Sequence, residues 1–462
     1  MKKIKNIHPG KNGYHFVIYG DSCSGIPKAK HESNLVSINS VLKNLEEKPE
    51  FIIFPGDEIT GLTNDEQYLK NQWDYWINKE MRWVKQNKIP LYNSTGNHTT
   101  YNKMSERVFK EVFSDFPQNG PDNQKGLSYF VTNDDLLLVF VNTMWSGLGG
   151  EGRVETQWLE RILSAHSGYR FKLVVGHHPI FPVNGFSGDF QREIEPENGK
   201  RFWDLLVKYN VFAYVCSHIL AFDVQIQQGV MQLLTTGAGT DYRMPEGIEY
   251  LHLVQAAIDN SGICYQVLDK KGVRNEWLRW PISLPPSNKW NKLSNDTVTL
   301  KCKNWGKPNH HSITVWNISG QICNDAYGCP QTFISGTDSI ENIPSIWIGL
   351  TGLKQRLTIY LSPESGRSPH HWYGPTFYQE NSFNVQIMVH NGMGPGGLLY
   401  RQGDNDPWSS MDSSSSWGVE RLKWPKYWTI AKNMQDTEDK MRFKGSKLDV
   451  RWFSYEKKYD NE

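Results

Sequence analysis

A chain of 462 residues is too long for one ordinary core and predicts two domains. Its 50 Lys and Arg against 49 Asp and Glu leave a net charge of +1, which gives no electrostatic footprint for a phosphate backbone and excludes nucleic acid as the default partner. Six cysteines without framework spacing fit reduced thiols better than staples and point to a cytoplasmic chain. The first residues are basic, but no apolar segment behind them is long enough for a signal sequence. No later stretch is long enough to span a bilayer, so no membrane is expected as a partner.

In chain order, an apolar run at residues 16–19 predicts a strand that closes on Gly20-Asp21. Leu35, Ile38, Val41, Leu42 and Leu45 then recur at helical spacing. The run Phe51-Ile52-Ile53-Phe54 is unbroken and ends in Pro55-Gly56-Asp57, which reads as a buried strand whose tip delivers a carboxylate into a cleft. Trp73, Trp76, Ile77 and Val84 follow at a helical period, and aromatics so spaced are read as core. Residues 89–92 form the next strand and run into Gly96-Asn97-His98. Residues 99–122 are read as a loop beside the cleft. A helix over 154–163 leads to the strand Leu173-Val174-Val175, tipped by Gly176-His177-His178. A long loop at 182–200, rich in Gly, Pro and charge, precedes a helix over 202–209 and the strand at 211–216, which ends in Ser217-His218.

From Thr235 the pattern shifts to short alternating strands at 251–258 and 263–268, with a hairpin turn at Asp269-Lys270-Lys271-Gly272. Residues 281–288, with three prolines, are the expected linker. The domains are therefore placed at 1–283 and 289–462. Beyond the linker the helical period is gone. Alternating runs at 312–316, 345–349, 356–360 and 383–389, parted by Gly, Pro, Asn and Ser, predict an antiparallel β-sandwich. Ten of the eighteen tryptophans lie in this part. Large aromatics either fill a sandwich core or stack sugar rings, and the core is the expected role.

Each Gly-Asp or Gly-His pair alone is weak evidence, because turns use such pairs everywhere. Their order is stronger. Gly20-Asp21, Gly56-Asp57, Gly96-Asn97-His98, Gly176-His177-His178-Pro179 and Ser217-His218 together resemble the five-block pattern of the calcineurin-like metallophosphoesterases, a family that includes the purple acid phosphatases. The resemblance covers residues 14–275 and implies an α/β fold, a four-layer αββα sandwich with metal ions at the strand tips. It implies hydrolysis of a small-molecule phosphate ester, with the ions clamping the phosphate and activating a shared water. One ion would take Asp57, Asn97, His177 and His218, a donor set that suits Mn, Fe, Zn or Ni. His98 corresponds to the family's acidic histidine and is the expected catalytic residue. His178 and His31 are expected to contact substrate or stand behind the ligands.

The second ion's motifs depart from the family. The common version has Asp-x-His in the first block and His-x-His in the last, whereas this chain has Asp21-Ser22-Cys23 and His218-Ile219-Leu220. Thr60 stands where the purple acid variant has a tyrosine. What remains is Asp21, Asp57 and the Cys23 thiol, either a soft metal ligand or a small buried hydrophobe. Three outcomes stay open: a hydrolase with one strong and one weak or differently ligated ion, a single-metal enzyme of different chemistry, or a former enzyme that binds through the old cleft. A separate possibility puts carbohydrate binding in the C-terminal sandwich, where residues 383–397 and the pairs Trp417-Gly418 and Trp424-Pro425 are faintly similar to laminin-G or concanavalin-like domains.

Overall fold

The computed structural model describes residues 3–144, 151–183, 193–240, 250–294, 310–323, 328–337, 344–362, 370–377, 382–390, 397–413, 425–433, 436 and 438–458. It contains two compact units, the first ending at Pro281 and the second starting at Ile282, with Gln225–Gly229 grouped with the second.

In the first unit β1 (Tyr14–Ile18), β2 (Phe51–Phe54) and β3 (Leu91–Asn93) run parallel and in that order. The chain then builds a second sheet from β4 (Tyr129–Asn133), β5 (Leu136–Phe140), β6 (Phe171–Val175), β7 (Ala213–Cys216), β8 (Phe222–Gln227) and β9 (Val230–Thr235), in the spatial order β4-β5-β6-β7-β9-β8. Strands β5, β6, β7 and β9 are parallel. The chain finally returns to the first sheet, adding β10 (His252–Asp259), β11 (Gly262–Asp269) and β12 (Arg274–Trp280) antiparallel beside β1. Every residue of β1, β2, β5, β6 and β7 is buried, which is why these segments read as continuous apolar runs rather than alternating ones.

The two sheets pack face to face. Tyr14 of β1 meets Phe171 of β6 edge-on at 6.0 Å between ring centroids, and Tyr92 of β3 lies 5.9 Å from Phe140 of β5. Helices cover the outer faces. On the first sheet lie α1 (Lys30–Lys43), α2 (Glu66–Tyr75), α3 (Arg82–Gln86) and α4 (Lys103–Val112), whose Leu35, Ile38, Trp73 and Phe109 share one core with Val17, Tyr19 and Phe54. On the second lie α5 (Thr156–Ala165) and α6 (Pro196–Lys208), with Phe202 5.0 Å from Tyr214 of β7. The unit is the four-layer αββα sandwich.

Two segments read as loops are partly helical. Within 99–122, α4 starts from a reciprocal cap in which the Asn102 side chain accepts from the Ser105 N–H and the Ser105 hydroxyl accepts from the Asn102 N–H. Within 182–200, the Glu195 carboxylate caps α6 and Pro196 occupies its first turn, so a composition that looked like a loop is a helix start. Residues 184–192 lie outside the described set.

The second unit is an antiparallel β-sandwich of two six-stranded sheets. One is centred on His310–Gln321, flanked by Ser382–His390 and Ser446–Lys458; the other carries Gln331–Thr337, Ile346–Thr351, Arg356–Leu361 and His370–Thr376. Trp316, Trp372 and Trp428 are buried among Ile318, Phe333, Ile348 and Val385, which is the core role. Within the serine-rich stretch after Trp408 lie the short strands Ser409–Ser410 and Asp412–Ser413. Trp417 and Trp424 lie outside the described residues.

Candidate metal centre

All five blocks leave the C-terminal ends of parallel strands: Asp21, Asp57 and Asn97-His98 follow β1, β2 and β3, while His177-His178 and His218 follow β6 and β7. Because the two sheets are stacked with these ends level, residues up to 197 positions apart in the chain meet. The backbone bends sharply to deliver them. Asp21, Cys23, Asp57 and His218 have φ of 56°, 42°, 57° and 72°, a left-handed region that ordinary side chains avoid. Such strain clusters where a function requires it. Gly96 is required for a different reason: a Cβ there would lie 2.1 Å from Oδ1 of Asp57.

Four donor atoms converge. Asn97 Oδ1 lies 2.9 Å from His177 Nε2 and 3.0 Å from His218 Nδ1, the two ring nitrogens are 3.2 Å apart, and Asp57 Oδ2 is 3.3 Å from His177 Nε2. The His177 Nδ1 sits 3.0 Å from the Pro55 carbonyl. A carbonyl only accepts, so Nδ1 carries the proton and Nε2 turns its lone pair inward, toward an amide oxygen, a carboxylate oxygen and a second imidazole. That arrangement is repulsive unless a cation or proton sits among the four. Donor edges of this length match those created by metal–ligand bonds of ~2.1 Å. The residues therefore fit a divalent transition ion, held by Asp57, Asn97, His177 and His218. Asp57 is further fixed by the His98 N–H, 2.8 Å from Oδ1.

The electrostatics agree. Burial opposes a charged His177, yet the Asp57 and Asp21 carboxylates outweigh it and push its pKa up to about 9. Burial, with the charge of Asp57 adding, pushes Asp21 up to about 7. Asp57 is itself held below the ordinary carboxylate range, because His177 and His98 outweigh the cost of burial. Without an ion, the pocket recruits protons to offset its buried carboxylates.

The other side of Asp57 is differently furnished. Asp21 Oδ2 accepts from the Ser217 hydroxyl and from the His218 N–H, so that carboxylate is already engaged. Cys23 Sγ, Asp57 and His98 offer donor atoms within 4.8 Å of one another. The Cys23 thiol is fully buried, and burial and the Asp57 charge push its pKa well up. His98 donates from Nδ1 to the Thr60 carbonyl at 2.7 Å if it carries its proton there, which turns Nε2 toward this group. His31 does not join any donor group among the described residues; its Nδ1 meets the Cys23 carbonyl at 2.9 Å and braces the first-block turn. His178 is fully buried, 2.9 Å from Glu151 Oε1 through Nε2.

Sequence reasoning missed three contributors. Glu80 ends a π-helical turn, Trp76–Glu80, and its carboxylate holds the Ser24 hydroxyl and the Gly25 N–H, while Trp76 Nε1 reaches Ser22 Oγ at 3.2 Å. The turn thereby anchors the loop that carries Asp21 and Cys23. Ser217 was visible only as the residue before His218. Glu151 sits in a segment without strand or helix period, so nothing local announced it.

Layered sheets with nitrogen and oxygen donors gathered at the strand tips define a metal-dependent hydrolase of the α/β sandwich type. Residues 7–222, a little under half of the chain, match the calcineurin-like phosphoesterases. A probable glycerophosphodiester phosphodiesterase, GpdQ, of Arcobacter nitrofigilis is 29% identical over 203 residues, which span 42% of this chain and 67% of that protein. Among solved structures, the purple acid phosphatase of yellow lupin seeds is 13% identical with a TM-score of 0.43, over 58% of this chain and 54% of that one. GAP50, the anchor in the inner membrane complex of Plasmodium, is 15% identical with a TM-score of 0.43, over 59% of this chain and 90% of its own.

Proposed function

We propose that this phosphoesterase works with one fully formed ion site, made of Asp57, Asn97, His177 and His218, and a depleted one around Asp21 and Cys23. The observation that carries the reading is the convergence of four donor atoms on edges of 2.9 to 3.3 Å, with the His177 proton committed to the Pro55 carbonyl. A bound ion supplies Lewis acidity toward a phosphoryl oxygen and makes a neighbouring water a better nucleophile. His98 then serves as the proton donor to the leaving oxygen or a hydrogen-bond donor to a phosphate oxygen, its ring oriented by the Thr60 carbonyl. Asp21 and Ser217 fix the turn that presents His218.

The substrate class is a small phosphate ester, and the likeness to a glycerophosphodiester phosphodiesterase favours a diester over a monoester. Burial of the sandwich tryptophans favours a packing role for them over sugar stacking. The buried cysteines Cys23, Cys216 and Cys264 stand outside any disulfide, which supports a cytoplasmic setting.

The test is metal content and turnover together. Purified protein passed through a desalting column should retain about one equivalent of Mn, Fe, Zn or Ni and hydrolyse bis(p-nitrophenyl) phosphate faster than p-nitrophenyl phosphate. Asn97→Ala or His177→Ala should lose that equivalent and lower kcat on the order of 1,000-fold, the scale of losing a metal's charge stabilisation. Protein that binds no transition metal, or an Asn97→Ala variant that keeps both ion and turnover, defeats the proposal.

A further inference from the structure

Beside the cage stands a second gathering of donors, completed by Glu151, which lies outside the five blocks. Glu151, His178 and His218 offer ligand atoms within 4.8 Å of one another, and the rings of His178 and His218 are 4.3 Å apart between centroids. We propose that Glu151, His178 and His218 form a second cation site, so that the weaker ion of this enzyme is held on the Glu151–His178 side of the centre rather than by Asp21 and Cys23. The inference rests on the cage described above only through the shared His218.

The orientation of His178 is the first argument. Its ring is fully buried, and Nδ1 lies 2.9 Å from the Thr143 hydroxyl oxygen, which also accepts from the backbone N–H of His178 at 3.3 Å. If the Thr143 hydroxyl accepts from Nδ1 as it does from the backbone N–H, Nε2 presents a lone pair to Glu151 Oε1 at 2.9 Å. Two acceptors at that distance call for a proton or a cation between them. A buried histidine aimed by a hydroxyl, facing a carboxylate and a neighbouring imidazole, has the make-up of a ligand set with its outer support.

The second argument is accessibility. The Glu151 side chain is 33% exposed, while Cys23 is 3% exposed and Asp21 2%. An ion beside Glu151 keeps positions open to water and to a phosphate oxygen, as catalytic sites require. One on the Asp21 side would need the buried Cys23 thiol to ionise. The donors are one carboxylate, the His178 imidazole and the second ring nitrogen of His218, which releases its proton to solvent so that the ring bridges the two ions as imidazolate; this set suits Zn, Mn, Co or Fe. With only three donors and a solvent-facing carboxylate, this site is the weaker of the two.

The experiment titrates metal-free full-length protein with cobalt(II), followed by calorimetry and by visible absorption. Wild type should take up two equivalents, the second more weakly. Glu151→Gln, a change at the solvent edge, should weaken the second equivalent at least tenfold and leave the first and the melting temperature unchanged. His178→Gln should weaken the second equivalent likewise, at some cost in melting temperature because the ring is buried, and Cys23→Ala should leave both equivalents intact. Asn97→Ala should remove the first equivalent and spare the second, which separates this inference from the cage itself. Glu151→Gln that retains the second equivalent at wild-type affinity overturns the inference, and so does wild type that saturates at one. In either case the Asn97→Ala result still judges the cage on its own.

Discussion

The two sides of Asp57 present opposite solutions to the same electrostatic problem. On one side an amide oxygen and two imidazoles close with the carboxylate into a cage with edges near 3 Å. On the other, a carboxylate is consumed by a serine hydroxyl and a backbone N–H, and a thiol is buried where the family has an imidazole. Both sides rest on strained turns, since Asp21 and Cys23 have positive φ just as Asp57 and His218 do. The Asp21 turn, costly in backbone terms, has a structural task of its own: through Ser217 and the His218 N–H it fixes the turn that presents His218.

Removing the shared residue should have the largest effect. His218→Ala takes a donor from the cage and from the Glu151–His178 group together, so the variant should retain less than a tenth of the wild-type metal and lose turnover on the order of 1,000-fold or more. A variant that keeps one tight equivalent by plasma emission analysis would show that His218 is not a ligand. Restoring the family pattern should have the next largest effect, and in the opposite sense. The double variant Cys23→His, Leu220→His should bind an additional ion on the Asp21 side. With a second charge at the reacting phosphate, diester turnover should rise roughly tenfold, about 1.4 kcal/mol of barrier. Unchanged stoichiometry in that variant would mean that the Asp21 turn cannot open toward an ion. Cys23→Ala alone should be the mildest of the three, within about threefold of wild-type turnover. The thiol is treated there as a packed hydrophobe, and a larger loss would restore it as a ligand.

How much of this the sequence disclosed depends on how local each signal is. Asp57, Asn97, His177 and His218 are legible because each follows an apolar run and a tight turn, so strand and tip announce each other within a few residues. The αββα order was legible for the same reason. Glu151 was not, because its meaning comes from His178, which reaches it only when the second sheet has formed. Glu80 escaped notice because a π turn shifts its carboxylate toward Ser24 and Gly25 while Trp73 and Trp76 keep the helical period that was read. Helix α4 was passed over as loop although Val108 and Phe109 lie buried on one face, since its cap is an Asn-x-x-Ser pair rather than the commoner pairing with Glu.

A last expected effect, on stability rather than turnover, concerns what braces the Asp21 side from behind. His252 is fully buried, with Nε2 3.0 Å from the Thr235 hydroxyl, and the Thr235 carbonyl oxygen in turn lies 3.3 Å from Ser217 Oγ. Burial lowers the His252 pKa from 6.5 to about 4. The folded chain therefore binds this proton less readily than the unfolded chain does. The stability it contributes is fully present above pH 6.5 and is lost as pH falls from there toward 4, a change on the order of 3 kcal/mol. Asp21 works the other way in the metal-free protein, since a carboxylate raised from 3.8 to about 7 costs stability as pH rises through that window. The two contributions oppose one another, so the wild-type profile alone does not separate them, whereas a comparison with His252→Gln cancels Asp21. Metal-free His252→Gln should lose less stability than wild type between pH 6.5 and 4.5 in urea melts. Parallel curves for the two proteins would mean that His252 is already solvated or protonated in the folded state, and that the Asp21 turn stands without its support.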